Sequence, residues 1–145
     1  MHLDRRTYAP RICGILIGAN DVSRNNDGVD IETWETDYRF VLESSREANP
    51  NLHIVLLDPF VLRSGRLSDI DVFKKWRRPV ERLILVVEQL ARHYNAIHIK
   101  TQDVFDVAAK VVSPEQWIWD GVHPLPQGHE LIARNWLQEV SKRLV

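Results

Sequence analysis

One cysteine, Cys13, stands in a chain of 145 residues, so no intrachain disulfide can form. That removes the usual mark of a small secreted scaffold, although secretion does not require one. Charge of one sign is also lacking: Lys and Arg total 19, Asp and Glu total 20, and the net charge is -1. A chain this close to neutral has no electrostatic footprint for nucleic acid or an anionic membrane. No apolar stretch approaches the roughly 18 residues of a spanning helix, so no membrane span is expected. The N-terminus sets basic residues before an apolar stretch at 12–17. That stretch is too short for the core of a leader peptide, and no small-residue cleavage site follows it. A soluble cytoplasmic protein is the expectation, unless a preceding segment carries a secretion leader. Internal repeats and low-complexity tracts are absent as well.

What is present is a hydrophobic fraction of 44%, enough for one compact domain over residues 1–145 and too little chain for two. Short apolar runs alternate with helical periodicities. Residues 12–17 (Ile-Cys-Gly-Ile-Leu-Ile) end at Gly18 and read as a strand buried on both faces. A helix beginning at Thr33 or Thr36 carries Tyr38, Val41 and Leu42 and stops near Asn49-Pro50. Residues 52–57 form a second buried strand, closed by Asp58-Pro59. After a loop at 60–70, Leu83, Val86, Val87, Leu90, Ala91 and Tyr94 mark one face of a long helix. Residues 96–99 form a third strand, and Thr101 can cap a helix running to Val112. Pro126 opens a last helix whose apolar stripe holds Leu131, Ile132, Trp136, Leu137, Val140 and Leu144. Strands alternating with helices predict an α/β domain with a parallel sheet. Three strands make a narrow sheet, and the first would leave an apolar edge open.

Two clusters carry chemistry. Gly18-Ala19-Asn20-Asp21 follows the first strand, and ligands of parallel α/β sheets bind outside the carboxyl ends of the strands. An asparagine there either aims an amide N–H at a developing oxyanion or serves as a plain loop residue. Asp120-Gly121-Val122-His123-Pro124 precedes the last helix. A carboxylate three residues before a histidine can accept from its imidazole, fix the tautomer and leave the other nitrogen as a general base. The plainer reading is a surface histidine in a turn. His129 joins His123 and Asp120 in a weak hint of a metal site, but its place at a helix start favours a structural role and no metal is expected. Lys74, Lys75, Arg77 and Arg78 beside Trp76 read as a solvated helix face. Trp117, Trp119 and Trp136 are packing groups around the last helix, with Trp117 or Trp119 also able to line an acyl or sugar pocket.

Taken together, Gly-x-Asn-Asp after a buried strand and Asp-x-x-His-Pro before a C-terminal helix resemble two signature blocks of the SGNH (GDSL-type) hydrolases. The text from Trp117 to Pro124, followed by Gly128-His129 and Leu131-Ile132-Ala133, is similar to bacterial lysophospholipase-like and acetyl-esterase-like members. The resemblance implies a three-layer, flavodoxin-like parallel sheet, of which this chain holds the C-terminal portion without the first strands. It implies an ester hydrolase without cofactor, in which His123 is the base, Asp120 orients it, Asn20 binds the oxyanion, and Gly18 and Asp21 shape the loop. Small acyl esters, acetylated sugars and lysophospholipids are the implied substrates. The family's nucleophilic serine sits in a Gly-Asp-Ser motif, and no such tripeptide occurs here. Ser23 is the nearest serine to Asn20 but does not follow a strand-to-helix elbow, and Cys13 lies inside a strand pattern. Two readings follow: an ester hydrolase whose nucleophile this chain does not hold, or a non-catalytic binding module derived from one, dimeric through the open strand edge.

Overall fold

In the computed structural model, residues 10–24 and 28–144 are described. The basic N-terminal residues 1–9, on which the leader argument partly rested, lie outside them. A parallel sheet of three strands runs in the order β1 (Ile12–Ile15), β2 (His53–Leu57) and β3 (Ile97–Ile99). Register pairs Cys13 with Ile54 and Val55 with Ile97. Helices cover both faces, which makes the predicted α/β three-layer arrangement.

The central strand shows why. Successive side chains of β2 point to opposite faces. Ile54 and Leu56 enter a core with Tyr38 and Leu42 of α2 (Ile31–Ala48) and with Leu83, Val87 and Leu90 of α3 (Ile70–His93). Val55 and Leu57 enter a second core with Ile97, Ile99 and Val140 of α5 (Pro126–Leu144). Each such aliphatic side chain, fully buried, contributes about 1.5–3 kcal/mol. A third core gathers Phe60, Leu62, Ile118 and Phe105 of α4 (Thr101–Val111) under the loops that carry the site.

The starts of α2 and α3 are set by carboxylates. Asp30 accepts from the Thr33 N–H and Asp69 from the N–H groups of Asp71 and Val72, each worth about 1 kcal/mol. Asp30, rather than Thr33 or Thr36, therefore begins α2. Thr101 does not cap α4 but is its first residue, and its hydroxyl donates to the Ile99 carbonyl.

The expected first strand is corrected in length and environment. It ends at Ile15, its residues are mostly half-buried, and Leu16 and Ile17 are exposed by 42% and 43%. Among the described residues β1 has a neighbour on one side only, so Ile12, Cys13 and Ile15 pack partly against the cores while Leu16 and Ile17 stay uncovered. On the last helix, Leu137 faces outward rather than joining the stripe. No helix of the described residues is long and apolar enough to cross a membrane.

Candidate active site

The carboxyl ends of β1 and β2 open into a cleft of about 500 Å3, lined on one side by Gly18, Asn20 and Asp21 and on the other by His123, Pro124 and His129. Pro59 and Phe60 form its floor. The two clusters, about a hundred positions apart in sequence, thus face one another.

Gly18 has φ +126°, a backbone state that side chains rarely adopt, and a Cβ there would sit 3.0 Å from Leu83. Its carbonyl accepts from the N–H groups of Asp21 and Val22 and so starts a short helix, α1 (Ala19–Arg24). Residues 18–21 are therefore not a plain loop. Asn20 stands in the first turn of α1, exposed, with its amide making no hydrogen bond within the described residues. Asp21 accepts from the Trp34 indole N–H at 3.2 Å, which ties α1 to α2.

The second cluster is a small hairpin. Trp119 N–H donates to the His123 carbonyl and Leu125 N–H to the Trp117 carbonyl. Between these bonds Asp120 turns back on His123. Its Oδ1 accepts from the backbone N–H of Val122 at 3.0 Å and of His123 at 2.8 Å, and its Oδ2 lies 2.7 Å from His123 Nδ1. The carboxylate selects the tautomer protonated on Nδ1 and leaves Nε2 as an acceptor. Burial works to raise the Asp120 carboxyl, but the His123 backbone N–H, the imidazole and the Val122 N–H together hold it below the usual carboxylate range. Gly121 makes the turn affordable, at φ +94° and with Leu67 so close that a Cβ would fall 2.5 Å from it.

Several supporting residues were not visible in the sequence. The buried Ser64 hydroxyl donates to the Ile118 carbonyl at 2.5 Å, and Leu62 N–H donates to the Gly121 carbonyl. Gln102, also buried, holds both polar groups of the Val61 backbone. The Ser64 and Leu62 bonds clamp the hairpin to a segment that the sequence marked only as a loop, and the Gln102 bonds tie that segment to α4. A composition signal for them does not exist, because the contacts join residues 41 and 54 positions apart.

Trp117 does not line the cleft. Its indole N–H donates to the Val112 carbonyl and its ring packs into the third core, a position fixed by the hairpin's inward face. Trp119, on the outward face and 59% exposed, also lies outside the cleft lining but stacks 6.1 Å from the His123 ring. Ser23 is exposed and not part of the cleft, and the Ser64 hydroxyl is committed to a carbonyl. Among the described residues no group of three or more His, Cys, Asp or Glu is placed to hold a metal ion, so His129 shares the cleft with His123 without forming a metal cluster.

A second acid–histidine contact lies at the same end of the sheet. Asp58, buried at the close of β2, has Oδ1 2.6 Å from Nε2 of His98 on β3. Burial outweighs the imidazole and raises this carboxyl.

Residues 2–131 match the model of the GDSL-like lipase/acylhydrolase family. The chain is 28% identical to an acetylxylan esterase of Geobacillus stearothermophilus over 139 residues, 91% of this chain and 60% of that protein. A crystal structure described as a GDSL-like lipase from Parabacteroides merdae superposes with a TM-score of 0.82 at 32% identity, covering 96% of this chain and 64% of that one. The crystal structure of the Geobacillus esterase gives a TM-score of 0.74 at 29% identity over 95% and 63%. Variants of that esterase described as catalytic carry alanine for an aspartate, for a histidine three positions later and for a serine early in its chain. The chain thus spans somewhat under two thirds of the length of these relatives. With the family's model matched over most of its residues and its three-layer fold reproduced, the chain belongs to the GDSL-like lipase/acylhydrolase family.

Proposed function

We propose that this chain supplies the base, its orienting carboxylate and an oxyanion donor for hydrolysis of a small carboxylic ester. The observation that carries this reading is the Asp120–His123 pair facing Asn20 across one cleft at the carboxyl ends of the strands. In the reaction, a serine hydroxyl attacks the ester carbonyl while His123 Nε2 takes its proton. The Asn20 amide donates to the tetrahedral oxyanion. His123 then returns the proton to the departing alcohol, leaving an acyl-serine. Water attacks that ester in the same way, with His123 again taking and returning a proton, and the acid and free serine result. Asp120 keeps the imidazole oriented and stabilises its charged form.

The serine comes from polypeptide other than these 145 residues, in which no Gly-Asp-Ser occurs. The open edge of β1, with Leu16 and Ile17 exposed beside it, is the place for a strand that carries it. Of the substrates that fit, acetylated sugar is favoured by the relative named as an acetylxylan esterase; other small acyl esters and lysophospholipids come second.

The test is a chimera in which the serine-bearing N-terminal segment of the Geobacillus relative precedes this chain. It should hydrolyse p-nitrophenyl acetate, and lose that activity with His123→Ala, while the 145-residue chain alone stays at background. Activity of the chain alone that vanishes with His123→Ala would place the nucleophile within it and sink this account. The same open edge supports a second reading, a non-catalytic module that pairs β1 with a second copy. Sedimentation distinguishes it: a tight dimer of the chain together with a silent chimera favours the module.

A further inference from the structure

Arg66 and Trp76 have no part in the reaction just described. Arg66 belongs to a 3-10 turn at Gly65–Leu67 and Trp76 to α3. The guanidinium carbon lies 5.1 Å from the Trp76 ring centroid, over its face. From that shelf Nε reaches to 3.9 Å from Asp120 Oδ2, the oxygen that also faces His123 Nδ1. The distance is too long for a good hydrogen bond and short enough for a charge contact. Arg66 makes no other ion pair among the described residues.

We infer that Arg66, seated on Trp76, is a positioning residue that holds a fixed positive charge against the Asp120–His123 pair. This rests on the ester-hydrolase reading for its purpose, but not for its physics. One carboxylate oxygen is shared between a permanent cation and an imidazole. The cation adds its charge to the hydrogen bonds that lower the Asp120 carboxyl, and it opposes a second positive charge on His123. Stacking on an aromatic face suits a planar guanidinium and not an ammonium, so the shelf selects arginine. Among the charged or titratable groups that line the cleft, Asp21 and Arg24 of α1 face the pair from across it and His129 of α5 lies on the pair's own side. Their positions do not depend on Arg66.

The experiment is an NMR titration of the 145-residue chain, reading the Asp120 carboxyl carbon and the His123 Cε1 proton in wild type, Arg66→Gln, Arg66→Lys and Trp76→Leu. Loss of the cation makes protonation easier at both groups. Both midpoints should therefore rise in Arg66→Gln, by about 0.3 unit at low salt and less in high salt. Arg66→Lys and Trp76→Leu should each fall between wild type and Arg66→Gln. A merely structural role has a different signature. Loosening the pair would raise the Asp120 midpoint but lower that of His123, because the imidazolium would lose its partner. Opposite movements, or two unmoved midpoints in Arg66→Gln, would overturn the inference. Because no ester is involved, this result stands apart from success or failure of the chimera.

Discussion

Asp58–His98 and Asp120–His123 make the same contact, at 2.6 Å and 2.7 Å, yet differ in nearly everything around it. The His98 side chain is 15% exposed and that of His123 62%. Asp120 sits in a turn that aims two backbone N–H groups at its other oxygen, which lowers its carboxyl. Asp58 sits at a strand end, where burial prevails and its carboxyl is raised. A short acid–histidine distance is thus no signature of catalysis. What separates the pairs is a carboxyl lowered by backbone donors besides the imidazole, and an outer imidazole nitrogen open to a cleft.

The sharpest way to break the comparison is activity in the serine-bearing chimera. His123→Ala should cost about a million-fold in turnover, since members of such a unit fail together. His98→Gln should leave acetate hydrolysis within about threefold. Equal losses would mean that both pairs act in the reaction, or that His98 sets the cleft's shape.

Stability should rank the pairs the other way. In urea unfolding of the chain, Asp58→Ala should cost about 2–3 kcal/mol, because it removes a buried partner and leaves His98 without one. Asp120→Ala should cost about 1 kcal/mol, the worth of side-chain bonds in a local turn whose other partner, His123, remains open to water. Gly121→Ala tests the turn itself. A Cβ 2.5 Å from Leu67, on a backbone at φ +94°, should cost about 2 kcal/mol and loosen the hairpin that presents His123. A wild-type midpoint in urea would show that Leu67 yields without strain.

The two pairs also mark where the sequence was readable. Asp120 and His123 lie within one local turn, so spacing alone brought them together. Asp58 and His98 come from neighbouring strands, 40 positions apart, and only the register of β2 on β3 joins them. The same division runs through the fold. The continuous apolar run of β2 was legible because both its faces are buried. The run at 12–17 looked alike in composition but belongs to an edge, so Leu16 and Ile17 stay exposed. The short helix α1 escaped notice because the Gly18 carbonyl starts it, and no periodic face announces six residues. Trp117 and Trp119 could not be told apart, since which lies inward depends on the hairpin formed by Ile118 and Pro124.

The smallest expected effect is the most selective, because the two carboxyls should shape stability against pH with opposite signs. Asp120 has a folded value below its ordinary 3.8. As pH falls through 3.8 the unfolded chain takes its proton first, so this group's contribution, present above that pH, is lost. Asp58 has a folded value above 3.8. As pH falls towards 3.8 the native state takes the proton first, so this group adds stability on acidification and withdraws it as pH rises through the folded value. Urea unfolding between pH 3 and 6 should therefore show that Asp120→Asn softens the acid loss of stability. Asp58→Asn should steepen it at pH values above 3.8. If both substitutions bend the curve in one direction, the two carboxyls share an environment, and the contrast between an ionised acid at the cleft and a raised one in the sheet is wrong.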